Sequence, residues 1–516
     1  MKISVHNKTL VLFLSQLFSL LVSKACHFKH NIISDPSKLL HSWSLSSDCC
    51  SAWEGVACDP SGRVVNLSRP GIVWGSDFLF DTYMSGTLSW QLIDLKGPIP
   101  PKFGELSHHT HLFLDSNKLF GSIPTTFRYL FKLEKLYIGN NYISGVVPSS
   151  VFGSLSSLLE LGLSGNRLSG PIPTSIGKLV LLTKLDLHGN NISGSIPVST
   201  GKLKSLTYLD LSGNRIIGRL PQSIGALSQL VLLYLNHNQL NGSIPSSISG
   251  LNSPRFCQLS QNKLAGALPA SLGQLPKIER LIFKNNKLSG KFLEGTLQFS
   301  LTFSSPTIVL QARFLQVFSN LLNLQTLDLL TNRFIGQIPS QLAKLQRLDT
   351  LDLSFNPLGL VSVPSFFARL KLFRLLLERT GIEGQLPSWL SSSYVSIFDL
   401  SSNSWTGKLP HRIGNMTSLS FMNLSNNGFQ SSILAEFRNL SLLMDLDLHL
   451  NKFTGPIHED TMGDVKKLTA LFLSSNNLKT IRSSGKIPPR KASIPVSGFI
   501  DNPGLCGAPL PPCNHF

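Results

Sequence analysis

Aspartate and histidine stand two residues apart at two places in the chain, a spacing that could orient an imidazole as a general base. The pairs are Asp186 with His188 and Asp447 with His449. A nucleophilic enzyme would need such a pair beside one serine or cysteine at a unique location. Both pairs instead occupy the same slot of a repeated sequence, and no nucleophile elbow, phosphate-binding loop or zinc motif occurs. The sequence therefore predicts a non-enzymatic protein with no cofactor and no metal site.

Cysteine is the other residue type that could do chemistry, and its placement is uneven. Six of the seven cysteines lie near the ends of the chain: Cys26, Cys49, Cys50, Cys58, Cys506 and Cys513. This placement predicts disulfides that staple caps over the ends of a repeat array. We expect Cys506 to pair with Cys513, whereas the four amino-terminal cysteines permit three connectivities. Cys257 occupies a slot that holds leucine in other repeats, so we expect a buried, unreactive thiol.

These residues are positioned by a repeat of the form LxLxxNxLxGxIP, with a period of 24 or 25 residues over most of the chain. The asparagine slot is filled by Asn117, Asn141, Asn166, Asn190, Asn214, Asn238, Asn262, Asn286, Asn332, Asn356, Thr380, Asn403, Asn427, Asn451 and Asn476. Such a period is typical of leucine-rich repeats, in which each unit contributes one short strand and is stable only when stacked on its neighbours. The sequence therefore predicts an α/β repeat fold, a right-handed leucine-rich-repeat solenoid.

Within one repeat, side chains are expected to alternate between core and surface. Leu185 and Leu187 are predicted to point inward and Asp186 and His188 outward, because strand side chains alternate with a period of two. The slot asparagine is expected to bond to backbone groups that would otherwise be buried without partners. Glycine and proline of the GxIP segment predict a turn, followed by short helical turns on the opposite side.

The repeats divide the chain into four segments. Residues 1–25 are predicted to be a signal peptide, 26–65 an amino-terminal cysteine cap, 66–480 the repeats, and 481–516 a carboxyl-terminal tail and cysteine cap. The pattern is irregular at 71–96, where one coil is expected to be missing, and at 291–320, which is either a degenerate coil or a loop.

The first residues indicate the compartment. Lys2 and Lys8 precede an apolar run from Thr9 to Val22, which is typical of a secretory signal peptide and shorter than the ~20 residues of a membrane span. No later apolar stretch is long enough to span, so we expect a secreted protein of the extracellular space or cell wall, with peripheral attachment to the plasma membrane as an alternative. The net charge of +18 favours an anionic wall polysaccharide as a partner, and nucleic acid is not expected there.

Both ends of the chain and the spelling of its repeats carry family motifs. The segment LLHSWSLSSDCCSAWEGVACDPSGRVVNL, with Trp43, the Cys49–Cys50 pair and Cys58, resembles the cap of plant extracellular leucine-rich-repeat proteins. The repeat spelling LSGxIP and the closing NPGLCGAPLPPC resemble the same family. It includes plant receptor-like proteins, receptor-like kinases and polygalacturonase-inhibiting proteins. The resemblance implies the plant-specific 24-residue type of repeat and the pairings Cys26–Cys49 and Cys50–Cys58.

Outward strand positions form columns across the predicted concave face, and departures from the commonest repeat spelling mark candidate ligand contacts. The candidates are Phe113, Tyr137, Asp186, His188, Asp210, Tyr234 and Lys284. Large aromatic side chains exposed on a sheet are typical of binding hot spots. Asp186 and Asp210 conform to the common spelling, so their alternative role is structural.

Asparagine sequons are a further sign of secretion, and six occur in the predicted mature chain: Asn66, Asn191, Asn241, Asn415, Asn423 and Asn439. Asn415 and Asn439 are expected on convex turns, whereas Asn423 lies in an outward column, where a glycan would block neighbouring coils. We therefore hypothesise that ligand contacts lie on the amino-terminal side, across the coils from Asn117 to Asn286.

Taken together, these features predict a secreted recognition protein that binds a peptide or protein ligand on its concave face, in plant defence or cell-surface signalling. A membrane receptor kinase is a candidate co-receptor. One alternative is an inhibitor of a microbial wall-degrading polygalacturonase. Another is a truncated receptor-like protein without activity of its own.

Overall fold

The computed structural model describes residues 41–42, 44, 47–58, 60, 64–68, 95–292, 320–457, 465, 467–479, 495–506 and 510–512. The predicted signal peptide and Cys26 therefore lie outside the described residues. The chain forms two compact units, Met1–Pro254 and Arg255–Phe516.

Unit 1 is built from short strands on one side of each coil and short strands and helical turns elsewhere. Its main-sheet strands are Val56–Cys58, Val64–Ser68, His111–Phe113, Lys135–Tyr137, Glu160–Gly162, Lys184–Asp186, Tyr208–Asp210 and Leu232–Tyr234. A second set of strands lies outside the main sheet: Lys96–Pro98, Lys118–Ser122, Tyr142–Val146, Arg167–Pro171, Asn191–Ser193, Ile217–Arg219 and Gln239–Gly242. The α-helices are Cys49–Ala52 and Ser149–Phe152, and the 3₁₀ helices are Pro101–Glu105, Thr125–Tyr129, Thr174–Lys178, Val198–Lys202, Gln222–Ala226 and Ser246–Gly250.

Unit 2 repeats the same coil. Its main-sheet strands are Phe256–Gln258, Arg280–Ile282, Thr326–Asp328, Thr350–Asp352, Arg374–Leu376, Ile397–Asp399, Phe421–Asn423, Asp445–Asp447 and Ala470–Phe472. The second set is Lys263–Gly266, Lys287–Phe292, Arg333–Gly336, Glu383–Gly384, Ser404–Gly407, Gly428–Phe429, Thr454–Pro456 and Asn477–Lys479. The 3₁₀ helices are Ala270–Gln274, Ser340–Lys344, Ser365–Arg369, Ser388–Ser392, His411–Asn415, Ala435–Asn439 and Val496–Gly498.

Each coil forms because its leucines are spaced to reach one shared interior. Leu185 and Leu187 are each 1% exposed, and Leu185 pairs in register with Leu161 and Leu209 of the adjacent coils. The pairing is parallel, as a repeat that winds in one direction requires. The predicted inward position of these leucines is confirmed, and burial of each contributes about 1.5–3 kcal/mol to the stability of the core.

A ladder of asparagines holds successive coils in register. The Nδ2 group of Asn190 donates to the carbonyl oxygens of Leu187 and His188 in its own coil (3.1 and 3.2 Å) and of Leu163 in the preceding coil (3.0 Å). Its Oδ1 accepts from the backbone N–H of Leu168, also in the preceding coil, at 3.0 Å. One buried amide thus satisfies four backbone groups, and the predicted role of the slot asparagine is confirmed.

Two positions modify the ladder. Thr380, which is 0% exposed, donates its hydroxyl to the carbonyl oxygen of Leu377 at 2.9 Å and has no amide to reach the preceding coil. Asn502 extends the ladder beyond residue 480, where the sequence predicted the repeats to end. Its Nδ2 donates to Leu473 in the preceding coil at 2.9 Å, and its Oδ1 accepts from the N–H of Leu478 at 3.2 Å.

The turn after each ladder position depends on glycine. Gly194 has a φ of +72°, and a Cβ at this position would lie 3.0 Å from the Cβ of Pro171. A side chain would therefore be strained in both backbone conformation and packing. Pro197 then precedes the 3₁₀ helix Val198–Lys202, as the GxIP pattern predicts.

The irregular segments each lie between strands that pair directly. Ser68 pairs with Phe113 across the first segment, and Ile282 pairs with Asp328 across the second. Both pairs are parallel neighbours, so no further described strand of the main sheet lies between them. Most of 291–320 lies outside the described residues, so the choice between a degenerate coil and a loop stays a prediction.

The cysteines follow the prediction where the structure describes them. Cys50 and Cys58 form a disulfide in the amino-terminal cap. Cys506 is disulfide-bonded, and its predicted partner Cys513 lies outside the described residues, as does Cys26. Cys257 is free and 2% exposed, and burial raises the pKa of its thiol to about 12. The prediction of a buried cysteine in a leucine slot is therefore confirmed.

Candidate ligand-binding face

The outward side chains of six successive main-sheet strands of unit 1, from His111–Phe113 to Leu232–Tyr234, form a surface that we call the strand face. It has three columns of side chains, whereas the ligand contacts predicted from the sequence lie in only two of them. The columns are His111, Lys135, Glu160, Lys184, Tyr208 and Leu232; Phe113, Tyr137, Gly162, Asp186, Asp210 and Tyr234; and Asp115, Gly139, Ser164, His188, Ser212 and Asn236. The first column follows from carrying the period of two one step toward the amino terminus, and it supplies several residues that the candidate list lacked.

Two predicted aromatic candidates contact each other at the amino-terminal end of the strand face. The rings of Phe113 and Tyr137 are stacked with centroids 5.5 Å apart, and His111 lies 5.9 Å from Phe113. Tyr137 leans over Gly162, where a Cβ would lie only 2.5 Å from the tyrosine ring. Because of this packing, Phe113 and Tyr137 are half-buried, and each ring keeps part of its surface exposed.

Glu160 connects Tyr137 to the first column. The Tyr137 hydroxyl donates to one carboxylate oxygen of Glu160 at 2.6 Å, and Lys135 Nζ lies 2.6 Å from the other. Burial raises the pKa of Glu160, but the bonds from Lys135 and Tyr137 outweigh burial and hold the pKa below its ordinary value. Burial and the bond to Glu160 raise the pKa of Tyr137. The network therefore fixes the Tyr137 ring while leaving part of it exposed.

Lys184 lies between two tyrosines at the centre of the strand face. Its Nζ is 5.3 Å from the centroid of the Tyr137 ring and 5.2 Å from that of Tyr208. Both distances fall within the range of a cation–π interaction. The ring of Tyr208 in turn lies beside the ring of Tyr234, with their centroids 6.0 Å apart. The aromatic row of Phe113, Tyr137, Tyr208 and Tyr234, bridged by Lys184, thus runs the length of the strand face.

Three of the predicted candidates meet in one polar cluster. His188 Nδ1 lies 2.8 Å from Asp186 Oδ1 and 3.9 Å from Asp210 Oδ2. The hydrogen bond to Asp186 raises the pKa of His188, and burial raises the pKa of Asp210. Asp210 is oriented by the backbone N–H and hydroxyl of Ser212 at 2.9 and 2.6 Å, and by the hydroxyl of Tyr208 at 3.2 Å.

The remaining candidate, Lys284, belongs to unit 2. Its Nζ lies 3.5 Å from Asp328 Oδ2, and burial raises the pKa of Asp328. Unit 2 also contains the second aspartate–histidine pair, in which His449 Nδ1 lies 2.6 Å from Asp447 Oδ1. The recurrence of this bond in the equivalent slot shows that the pair is a local feature of the repeat.

The strand face is acidic although the chain is basic. At the outward positions of the described strands from 111 to 236, Lys135 and Lys184 are opposed by four carboxylates, from Asp115, Glu160, Asp186 and Asp210. Exposed basic side chains such as Lys178 and Lys202 lie instead at the ends of 3₁₀ helices. The net charge of the chain therefore does not describe this surface.

Sequons differ in their surroundings. Asn191, Asn241, Asn415 and Asn439 are exposed, and the last two end 3₁₀ helices as predicted. The Nδ2 of Asn423 donates to Asp399 at 3.2 Å, and its Oδ1 accepts from the Ser425 hydroxyl at 2.7 Å. The side chain of Asn66 lies outside the described residues, although its backbone forms a main-sheet strand.

Comparisons with known families agree with this architecture. A leucine rich repeat model matches residues 107–168, 131–192, 156–216 and 181–240, and a second model of that description matches 323–345 and 418–440. A leucine rich repeat N-terminal domain matches residues 27–59. The chain is a leucine-rich-repeat solenoid protein with the amino-terminal cap of that class.

Individual relatives narrow the class. Receptor-like protein 35 of Arabidopsis thaliana is 36% identical over 137 residues, which are 26% of this chain and 14% of that protein. The plant peptide hormone receptor RGFR1, solved in complex with RGF2, is 27% identical with a TM-score of 0.64, over 83% of this chain and 68% of that one. The ectodomain of the Arabidopsis thaliana membrane receptor kinase GASSHO1/SCHENGEN3, in complex with CASPARIAN STRIP INTEGRITY FACTOR 2, is 27% identical with a TM-score of 0.53, over 82% of this chain and 62% of that one.

The chain is therefore similar to plant receptor-like proteins and to ectodomains of plant receptors, and it spans only a small part of the curated relative it matches. Among the described residues, none of the helices has the length and apolar character needed to cross a bilayer.

Proposed function

We propose that this protein is a secreted recognition module that binds an extended peptide, or an extended segment of a protein, on the strand face of unit 1. The observation that carries the proposal is the aromatic row of Phe113, Tyr137, Tyr208 and Tyr234 with Lys184 between two of the rings. A solvated sheet gains nothing from four aromatic side chains on one face, whereas an interface gains from each ring that a partner covers.

The arrangement suits an extended chain for geometric reasons. Neighbouring strands of a sheet lie about 4.8 Å apart, and an extended peptide advances about 3.3 Å per residue. A peptide that crosses the strands therefore meets a new coil every one to two residues. Aromatic rings offer it apolar contacts, while the Lys135–Glu160 pair and Lys184 offer charged groups that are already held in place. Because these groups are ordered before binding, little side-chain entropy is lost on association.

The similar solved structures support the peptide class of ligand, since RGFR1 and GASSHO1/SCHENGEN3 were each solved in complex with a peptide or protein factor. The roles that the family resemblance implies, namely plant defence or cell-surface signalling beside a membrane receptor kinase, form the finer part of the proposal. Secretion rests on the predicted signal peptide at residues 1–25 and is tested by locating the mature protein in extracellular fluid.

A display library of random linear peptides tests the peptide proposal directly. Peptides selected on the wild-type chain are measured against Tyr137→Ala and Tyr234→Ala, with Tyr394→Ala as the matched control, because Tyr394 is a 68% exposed tyrosine of unit 2. Each strand-face substitution is expected to weaken binding at least about tenfold, as loss of a hot-spot aromatic does, and the control should bind as the wild type does. Equal binding by all three variants, or no selected peptide, would refute the proposal.

The polygalacturonase-inhibitor alternative predicts a different result. An inhibition assay with fungal polygalacturonases decides it, and activity in that assay would favour the alternative regardless of peptide binding. Retention on pectin that disappears in moderate salt would show only the effect of net charge. Since the strand face is itself acidic, such retention should be unchanged when Lys184 is replaced, and a pectin site there would be indicated by a loss.

A further inference from the structure

Asp186, His188 and Asp210 place three metal-ligating side chains around one point on the strand face, and we propose that they bind a divalent transition-metal ion of the zinc class. One donor atom from each residue lies within 4.8 Å of the other two. The three come from adjacent coils, because Asp186 and Asp210 pair directly in register and His188 follows Asp186 by two residues. This inference does not depend on the proposed peptide ligand.

The distances are close to those around a bound ion. His188 Nδ1 is 2.8 Å from Asp186 Oδ1 and 3.9 Å from Asp210 Oδ2. With zinc bonds of about 2.0–2.2 Å to nitrogen and oxygen, tetrahedral donors stand about 3.3 Å apart. The ion would therefore replace the Asp186–His188 hydrogen bond, and each of the two distances from His188 Nδ1 would change by about 0.5–0.6 Å.

Hydrogen bonds hold the two carboxylates in place, and each oxygen that faces His188 keeps a further lone pair for an ion. Asp210 accepts from Ser212 and from the Tyr208 hydroxyl, and Asp186 Oδ1 accepts from the backbone N–H of His188 at 3.2 Å. Asp186 is 9% exposed and Asp210 8% exposed, so neither side chain is free to reorient. Outer hydrogen bonds of this kind orient metal ligands and strengthen binding.

The second aspartate–histidine pair shows what distinguishes this cluster from the repeat itself. Asp447 and His449 are bonded in the same way, but the position paired with Asp447 in the next coil is Phe472, and in the preceding coil it is Asn423. The unit 2 pair thus has two strong donors where the unit 1 cluster has three. It provides a control within the same molecule.

The donor set also limits the choice of ion. One imidazole and two carboxylates suit zinc and its neighbours in the transition series, whereas calcium and magnesium prefer all-oxygen sites with more ligands. The side chain of His188 is 45% exposed, so the remaining coordination positions would face outward. A water molecule or a carboxylate, imidazole or thiolate of a partner could occupy them.

Zinc binding to the tag-free, full mature chain, measured by isothermal titration calorimetry in a non-chelating buffer, tests the proposal. Cobalt(II) absorption provides a second readout that reports the ligand geometry. The wild type is expected to bind one ion, His188→Gln to lose it, and His449→Gln to retain it. Asp210→Asn is also expected to lose it, and Tyr208→Phe to weaken binding by about tenfold through the lost outer hydrogen bond.

Folding of each variant is checked by circular dichroism. If a variant of a metal ligand fails to fold, the weaker zinc binding expected for Tyr208→Phe provides the test instead. Loss of the site in His188→Gln with retention in His449→Gln supports the proposal. Absence of zinc binding in the wild type overturns it. Equal affinity of wild type and His188→Gln, or equal losses in the His188 and His449 variants, would overturn it as well.

Discussion

Replacing His109 by leucine is expected to remove an acid-sensitive defect from the core of unit 1. His109 is 3% exposed, lies among Phe103, Leu106, Leu112 and Leu130, and occupies a slot that holds leucine in most other coils. Neither ring nitrogen has a hydrogen-bond partner in the described part of the structure. Burial therefore lowers the pKa of His109 from 6.5 to about 4, with the charge of neighbouring His108 adding to the effect.

The magnitude follows from the linkage between protonation and folding. Because the folded state binds the proton more weakly than the unfolded state, stability is complete above pH 6.5 and falls as the pH decreases toward 4. A shift from 6.5 to about 4 corresponds to about 3 kcal/mol once the pH is below both values, at 1.36 kcal/mol per pKa unit. At pH 5 the loss relative to neutral pH is about 2 kcal/mol.

Denaturant unfolding of wild type and His109→Leu between pH 7.5 and 4.5 measures this effect, since the difference between the two curves cancels the other titrating groups. The variant is expected to be more stable throughout, and its advantage should grow by about 2 kcal/mol between neutral pH and pH 5. Leu133→His is the reciprocal variant, because Leu133 is fully buried in the same slot of the next coil. Parallel pH curves for wild type and His109→Leu would refute the reasoning.

Three further predictions concern the ladder, a buried acid and the free thiol. Asn214→Ala removes the partner of the N–H of Ile192 and of the carbonyls of Leu187, Leu211 and Ser212, so it should cost about 3 kcal/mol or more in denaturant unfolding. Thr380→Ala, which loses one hydroxyl donor, should cost only about 1 kcal/mol, and equal costs would contradict the ladder's role. Burial and then Asp328 raise the pKa of Asp352 to about 6. Folding therefore disfavours the ionised form, and Asp352→Asn should stabilise the protein at pH 7 by up to about 3 kcal/mol, with the gain disappearing below pH 4; a constant gain would point to another cause. The buried thiol of Cys257 should resist alkylation at pH 8 until the chain unfolds, and rapid labelling of its peptide in the native protein, seen by mass spectrometry, would contradict the burial.

The repeat could be predicted from sequence because the residues that determine the shape of a coil lie close together in the chain. The slot asparagine, the two leucines before it and the GxIP turn lie within about a dozen residues of each other, so spacing alone indicates which side chains are inward. Cys257 illustrates the strength of this pattern, since its slot identified it as buried. The additional ladder position at Asn502 was missed because the leucines that precede the slot asparagine in other coils are absent from the segment before Asn502.

Contacts between coils could be predicted only in part. Lys184 and Tyr208 occupy outward positions that the strand period identifies, and Asp210 stands one repeat after Asp186, so their proximity was available from the sequence. The direction in which each side chain leans was not. Tyr137 reaches Glu160 because Gly162 leaves space for its ring, and that choice depends on the size of a side chain in the adjacent coil.

The strand face also shows why net charge is a weak guide to the partner of a repeat protein. Each outward column can have its own charge, because outward residues vary without changing the core that the leucines form. In this chain the basic residues concentrate away from the strand face, where four carboxylates oppose two lysines. A polyanion and a ligand of the strand face would therefore select different surfaces of one molecule. Recognition of the proposed peptide would depend on the aromatic row and its fixed polar groups, not on the net charge of the chain.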